Sequence, residues 1–208
     1  MTHFFGISEY GAFVTAFILL LIIPGPGNLA IMTSTAKGGV LGGMMATLGV
    51  IAGDQVLLWI TVAGVASILK AYAGALAIIQ WVGAAYLVWL GAKMIMAKPG
   101  DKPILNIKPG QYFKQALVIT LFNPKAVVFY LAFFPLFINP QTHLGFITFA
   151  VMAATVAILA FIYCFVVVMI THFLAEKIRS NQKVSSFLQK IAGLFLVGFG
   201  LKLAFSKI

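Results

Sequence analysis

Charge is scarce in this chain, and acid is scarcer still. Of 208 residues, 14 are Lys or Arg and only 4 are Asp or Glu. An ordinary soluble domain carries roughly 25% charged residues. Here the share is 9%, hydrophobic residues make up 62%, and mean hydropathy is +1.08. A water-soluble fold of 22.4 kDa leaves much of its surface in water and cannot conceal so much apolar area. A soluble enzyme, a disordered tail and a nucleic-acid module are thereby excluded. The net charge of +10 would suit nucleic acid if the basic residues formed a patch. They sit instead in short gaps between apolar runs, as the cytoplasmic positives of integral membrane proteins do.

Cysteine is nearly absent as well. Cys164 alone allows no internal disulfide and no CxxC pair, so a thiol–disulfide carrier is excluded. With four acids, one cysteine and three scattered histidines (His3, His143, His172), no metal site of usual ligand count is visible. No phosphate loop, nucleophile triad or GxSxG motif appears. The sequence predicts neither an enzyme nor a cofactor. The first apolar run has no preceding Lys or Arg and no A-x-A cleavage site, so it does not read as a signal peptide.

What is present is six apolar runs, at about 9–32, 40–69, 71–97, 112–138, 145–174 and 187–206. Each is long enough to cross ~30 Å of hydrocarbon as a helix of ~20 residues, and helices satisfy their own backbone groups in lipid. The fold class expected is an all-α polytopic membrane protein of six spans. Lys37, Lys98, Lys102, Lys108, Lys114, Lys177, Arg179, Lys183 and Lys190 fall in the first, third and fifth gaps, whereas the other side carries only Lys70 and Lys207. The positive-inside rule puts the richer set in the cytoplasm and both termini outside. If the break in span 1 keeps it from crossing, the N-terminus moves inside and five spans remain.

Pro99-Gly100, Pro103 and Pro109-Gly110 mark residues 98–110 as a cytoplasmic linker between halves at 1–97 and 111–208. The halves are alike. Residues 80–97 set beside 189–206 align Gln80/Gln189, Leu87/Leu196, Val88/Val197, Gly91/Gly200 and Lys93/Lys202. The first span of each half also contains a proline break, at Pro24-Gly25-Pro26-Gly27 and at Asn123-Pro124. Three spans per half make the repeats inverted, and inverted repeats with interrupted helices in matching places are a secondary-transporter signature.

The breaks predict a site. Proline lacks an N–H and clashes with the preceding turn. Helix 1 should stop at Pro24 and restart, exposing N–H groups near Gly27, Asn28 and Leu29, with Asn28 as a candidate cap. Such donors at the positive end of a helix suit a carboxylate. Pro124 should free the carbonyl of Thr120, beside which Asn123 can donate or accept. Pro24 lies about 15 residues from the outer end of span 1 and Pro124 about 12 from the inner end of span 4, or ~22 and ~18 Å. Both are then near the midplane. The plainer alternative is a pair of simple kinks, since proline is common in membrane helices.

Two charges share that depth. Asp54 and Lys125 each cost ~2.5–3.5 kcal/mol at a bilayer centre, so each needs a partner or a wet cavity. They pair with each other, or Asp54 meets a substrate ammonium or takes up a proton. A zwitterion such as an α-amino acid would put its carboxylate near residues 27–29 and its ammonium near Asp54. The small residues from Gly38 to Gly53 predict close helix packing. Tyr86, Tyr130, Tyr163, Gln55 and Gln80 are weaker cavity candidates, for which ordinary packing is the alternative.

Pro24-Gly25-Pro26-Gly27-Asn28, Gly49-Val50-Ile51-Ala52-Gly53-Asp54, Gly83-Ala84-Ala85-Tyr86, Leu121-Phe122-Asn123-Pro124-Lys125-Ala126 and the closing Gly193-Leu194-Phe195-Leu196-Val197-Gly198 come in one order over the whole chain. This set resembles the lysine exporter (LysE/RhtB) family. The resemblance implies a multi-pass protein of the bacterial inner membrane, surrounded by lipid, that exports amino acids or related metabolites. It implies use of the proton-motive force, as an antiporter, and admits a homodimer. One buried acid beside one buried lysine favours a neutral cargo such as leucine, threonine or homoserine. The substrate-binding residues expected are Pro24, Gly25, Pro26, Gly27, Asn28, Asp54, Asn123, Pro124 and Lys125, with Asp54 also coupling to the proton. The alternative function is a channel or facilitator for small metabolites.

Overall fold

Proline and glycine, which the apolar runs contain at only a few interior points, decide where the helices begin and end. The computed structural model describes residues 5–7, 9–23, 25–65, 73–96, 107–138, 145–180 and 182–205. Helix α1 covers Tyr10–Ile22 and α2 covers Pro26–Ile60, ending in a π-helical turn at Thr61–Val65. Helix α3 is Ala73–Met96 and α4 is Tyr112–Leu121. Helix α5 is Pro124–Val128, continued by a π turn at Phe129–Phe133 and a 3-10 turn at Phe134–Phe137. Helices α6, Phe146–Ser180, and α7, Gln182–Phe205, complete the chain. Among the described residues the β pairing is a single antiparallel bridge between Ile7 and Ile138.

Helix α2 is folded back on itself. Gly39 has φ 63° and ψ −159°, a conformation that glycine reaches without strain. A Cβ added to Gly42 would lie 2.6 Å from the Ser34 carbonyl oxygen. Eight residues of straight helix span ~12 Å, so the chain reverses between them. The arms, 26–38 and 40–60, then run side by side, with Gly43 against Thr35 and Gly27 near Val50.

The small-residue stripe on the second arm packs as its spacing predicts. Gly49 lies against the Phe113 carbonyl and Gly53 against Thr120, both on α4. Gly43 also meets Val168 on α6. Helices α3 and α7 form a second close pair, in which a Cβ on Gly91 would lie 2.6 Å from the Gly193 carbonyl. Gly193 meets Met94 and Ile95 while Val197 meets Gly91, so these two helices run in opposite senses. Buried Phe13, Phe17, Phe129, Tyr130, Phe134 and Met152 pack α1, the run after α5, and α6 into one cluster. The phenylalanines around 129–137 are therefore partly core.

The outer surface is apolar too. Ile158, Phe161, Ile162 and Phe165 are exposed along one face of α6 at helical spacing. Such a stripe is unfavourable in water and at ease in lipid. Pro26–Gly64 and Phe146–Leu174 are apolar enough to cross a bilayer; the first does so through its second arm, 40–60, which at 1.5 Å per residue is ~30 Å long, and Tyr10–Ile22 and Ala84–Met96 are shorter apolar helices. The protein is helical, as a membrane protein of this composition must be.

The boundaries differ from expectation in two places. The expected loop after span 5 is helical on both sides, because α6 continues to Ser180 and α7 begins at Gln182. Charged residues at the water interface continue a helix as readily as they leave one. The gap at Lys37 is likewise a reversal centred on one residue, Gly39, with helix on each side. Residues 97–106 of the linker, Lys70, Lys207, His3 and His143 lie outside the described residues.

Candidate functional site

Both helix interruptions are present, and they meet. Helix α1 stops at Ile22 and α2 starts at Pro26, while α4 stops at Leu121 and α5 starts at Pro124. A Cβ on Gly25 would lie 3.1 Å from Lys125 Cε and 3.2 Å from its Nζ. A Cβ on Gly27 would lie 3.9 Å from both Asn123 Nδ2 and Thr120 Oγ1. Gly25, Pro26, Gly27 and Asn28 thus share one locus with Asn123, Pro124 and Lys125. Pro24 lies outside the described residues.

The first break has an unusual closure. A proline at position 24 has no N–H to offer the carbonyl four residues back, Leu20. Lys125 supplies the missing donor, its Nζ donating to the carbonyl oxygens of Leu20 at 2.8 Å and Ile23 at 2.6 Å. The ammonium also lies at the negative end of α1, where a cation is favoured. The Leu21 carbonyl accepts from Asn28 Nδ2 at 3.1 Å, and the same amide donates to the Tyr163 hydroxyl at 3.0 Å. Asn28 is therefore not the cap of the restarted helix, as expected from its position. Gly25 is the N-cap and, as glycine, brings no side-chain bond, while the Asn28 amide is turned back to the end of α1.

The second break closes locally. Asn123 caps α5, its Oδ1 accepting from the Lys125 backbone N–H at 3.1 Å. The Thr120 carbonyl is not left free by Pro124 as expected, since the Asn123 N–H takes it up at 3.0 Å in a tight turn. What remains open at this locus is the start of α2. Leu29 N–H bonds the Gly25 carbonyl at 3.1 Å. The Gly27 and Asn28 N–H groups precede the first helical acceptor, as the first donors of any helix do.

Asp54 stands on the second arm of α2, one residue beyond the contact of Gly53 with Thr120. It is 5% exposed, and Lys125 is 7% exposed. The two act on each other through space, and the Tyr130 side chain faces Asp54 from the helical run after α5. The hydroxyls of Tyr130 and Thr120 are buried and without a hydrogen-bond partner. Sequence reading gave Tyr130 only a weak place and Thr120 only a backbone role. A threonine one turn before an Asn-Pro break was the available signal.

The remaining candidates are structural. Gln55 Nε2 donates to the Ala153 carbonyl on α6 at 3.0 Å. Tyr86 is partly exposed and packs against Trp89, over which Lys93 lies at 4.3 Å. The Gln80 side chain lies outside the described set.

Known proteins bear on this arrangement. The family described as LysE type translocator matches residues 18–207. A leucine efflux protein of Salmonella typhimurium is 33% identical over 205 residues, covering 96% of each chain. One from Klebsiella pneumoniae is 29% identical over 204 residues, again 96% of each. No solved structure matches the chain. The family match spans both helix breaks and Asp54, and the relatives are of the same length throughout: the chain belongs to the LysE family of membrane translocators.

Proposed function

We propose that the protein exports neutral amino acids, leucine among them, across the bacterial inner membrane by alternating access around the joined helix breaks. The observation that carries this reading is the meeting of the two breaks beside a buried carboxylate. Each break brings one positive and one negative helix end to the same depth. Lys125 already occupies the negative end of α1. The open donors at the start of α2 suit a carboxylate, and Asp54 suits an ammonium. A zwitterion satisfies both, and the leucine efflux relatives support that class of cargo.

In this reading the chain crosses the membrane six times as two inverted three-helix repeats. The antiparallel packing of α3 and α7, the last helix of each half, supports such a repeat. Binding of a proton to Asp54 from the outer side weakens its hold on the ammonium and couples efflux to the pH gradient. Asp54→Asn and Asp54→Ala should abolish leucine efflux from loaded proteoliposomes while the protein still reaches the membrane. Undiminished efflux in either variant removes Asp54 from the mechanism. Saturable counterflow of labelled leucine is expected of a carrier, and linear flux would point to a pore.

A further inference from the structure

Buried hydroxyls almost always find a partner, because their desolvation is otherwise uncompensated. Three side-chain hydroxyls among the described residues do not: Ser34, Thr120 and Tyr130. Ser34 belongs to the α2 reversal, away from the breaks. Thr120 is 2% exposed and stands where α4 ends, against both arms of α2.

Its orientation is fixed by packing. A Cβ on Gly53 would lie 2.7 Å from Thr120 Cβ and 2.8 Å from Cγ2, so the methyl group is wedged against the second arm. The hydroxyl is thereby turned to the first arm, 3.9 Å from where a Gly27 Cβ would stand. Asn123 Nδ2 lies 3.9 Å from the same point, and a Val50 methyl closes it at 3.9 Å. A hydroxyl and a side-chain amide thus border the first turn of α2, whose leading N–H groups have no helical acceptor. All of them can donate, and the helix end behind them is positive.

We infer that the Thr120 hydroxyl is a ligand of the substrate carboxylate, donating its proton to one oxygen while the Gly27 and Asn28 N–H groups hold the other. This rests on the amino-acid exporter reading and adds to it a residue that selects for the carboxylate. Glycine at 27 keeps a side chain out of the space beside the hydroxyl, and the contact with Gly53 aims it.

The test is binding of leucine and of isoamylamine, which is leucine without its carboxyl group, to the purified full chain. Thr120→Val keeps the shape and removes the donor. Leucine should bind roughly ten- to a hundredfold more weakly, isoamylamine unchanged, and Thr120→Ser should recover most of the loss. The melting temperature of Thr120→Val should hold or rise, because an unpaired hydroxyl has been removed. Equal leucine affinity in Thr120→Val and the parent overturns the inference, as does an equal loss for both ligands. Should Thr120→Val not fold, Thr120→Ala carries the same binding expectations, with a lower melting temperature because the Cγ2 contact with Gly53 is lost. A parent protein that binds no α-amino acid would instead overturn the exporter reading itself.

Discussion

Two buried polar side chains near the breaks differ in what they do for stability. The Lys125 ammonium closes the backbone of the first break through the carbonyls of Leu20 and Ile23. The Tyr130 hydroxyl is buried and faces the Asp54 carboxylate without closing a full hydrogen bond. Lys125→Met leaves both carbonyls without a donor in an apolar surrounding, a loss of about 1–3 kcal/mol. Melting of the purified protein should fall by several degrees, and efflux with it. Tyr130→Phe keeps the ring contacts with Phe129 and Phe134 and discards only the hydroxyl that faces Asp54. Its melting temperature should stay close to the parent's, within about 0.5 kcal/mol of stability. A Lys125→Met protein as stable as the parent would mean that the α1 carbonyls do not depend on the ammonium. Gly25 belongs to the same device, since a side chain there would press on the lysine stem.

At the scale of the helices, glycine acts in two ways that substitution separates. At Gly39 there is open space around the Cβ position, and the objection to alanine is conformational. That strain is worth about 1–3 kcal/mol. At Gly49 the objection is steric, because an added Cβ collides with the Phe113 backbone carbonyl and α4 must move. Gly49→Ala should therefore lower both melting temperature and efflux, while Gly39→Ala should lower melting temperature and spare leucine affinity. Both the breaks and the glycine stripe were legible in the sequence, because the missing N–H of proline and the missing Cβ of glycine act wherever the chain puts them. The partners were not legible. Nothing local says that Lys125 reaches back about a hundred residues to Leu20, or that Asn28 turns from its own helix to Leu21. Such bonds depend on which helices come together, and a linear pattern records only what each helix could offer. The reversal at Gly39 was hidden for a related reason: a glycine pair in a small-residue stripe reads equally well as packing.

For the molecule as a whole, the apolar pattern predicts how many helices there are, while charge alone predicts which way they point. Three lysines lie between the third and fourth runs and a fourth, Lys114, just inside the fourth, whereas none lies between the fourth and fifth. If the broken helix formed by α4 and α5 crosses the membrane, these two gaps face opposite sides. Single cysteines report this directly, because the one native thiol, Cys164, is 1% exposed and closed to an aqueous reagent. Lys102→Cys should react with a membrane-impermeant maleimide in inside-out vesicles, and Thr142→Cys only in right-side-out ones. The same logic applies to the first break, where Ser8→Cys and Lys37→Cys bracket α1 and the first arm of α2. Opposite labelling at both pairs is what two broken, membrane-crossing helices require. Labelling of Ser8→Cys and Lys37→Cys from one side would make α1 and the first arm a re-entrant hairpin and leave five spans. The inverted repeat would then fail, since an odd total cannot be divided into two equal halves. The meeting of the breaks around Lys125 would survive that outcome, but alternating access by exchange of the two halves would not.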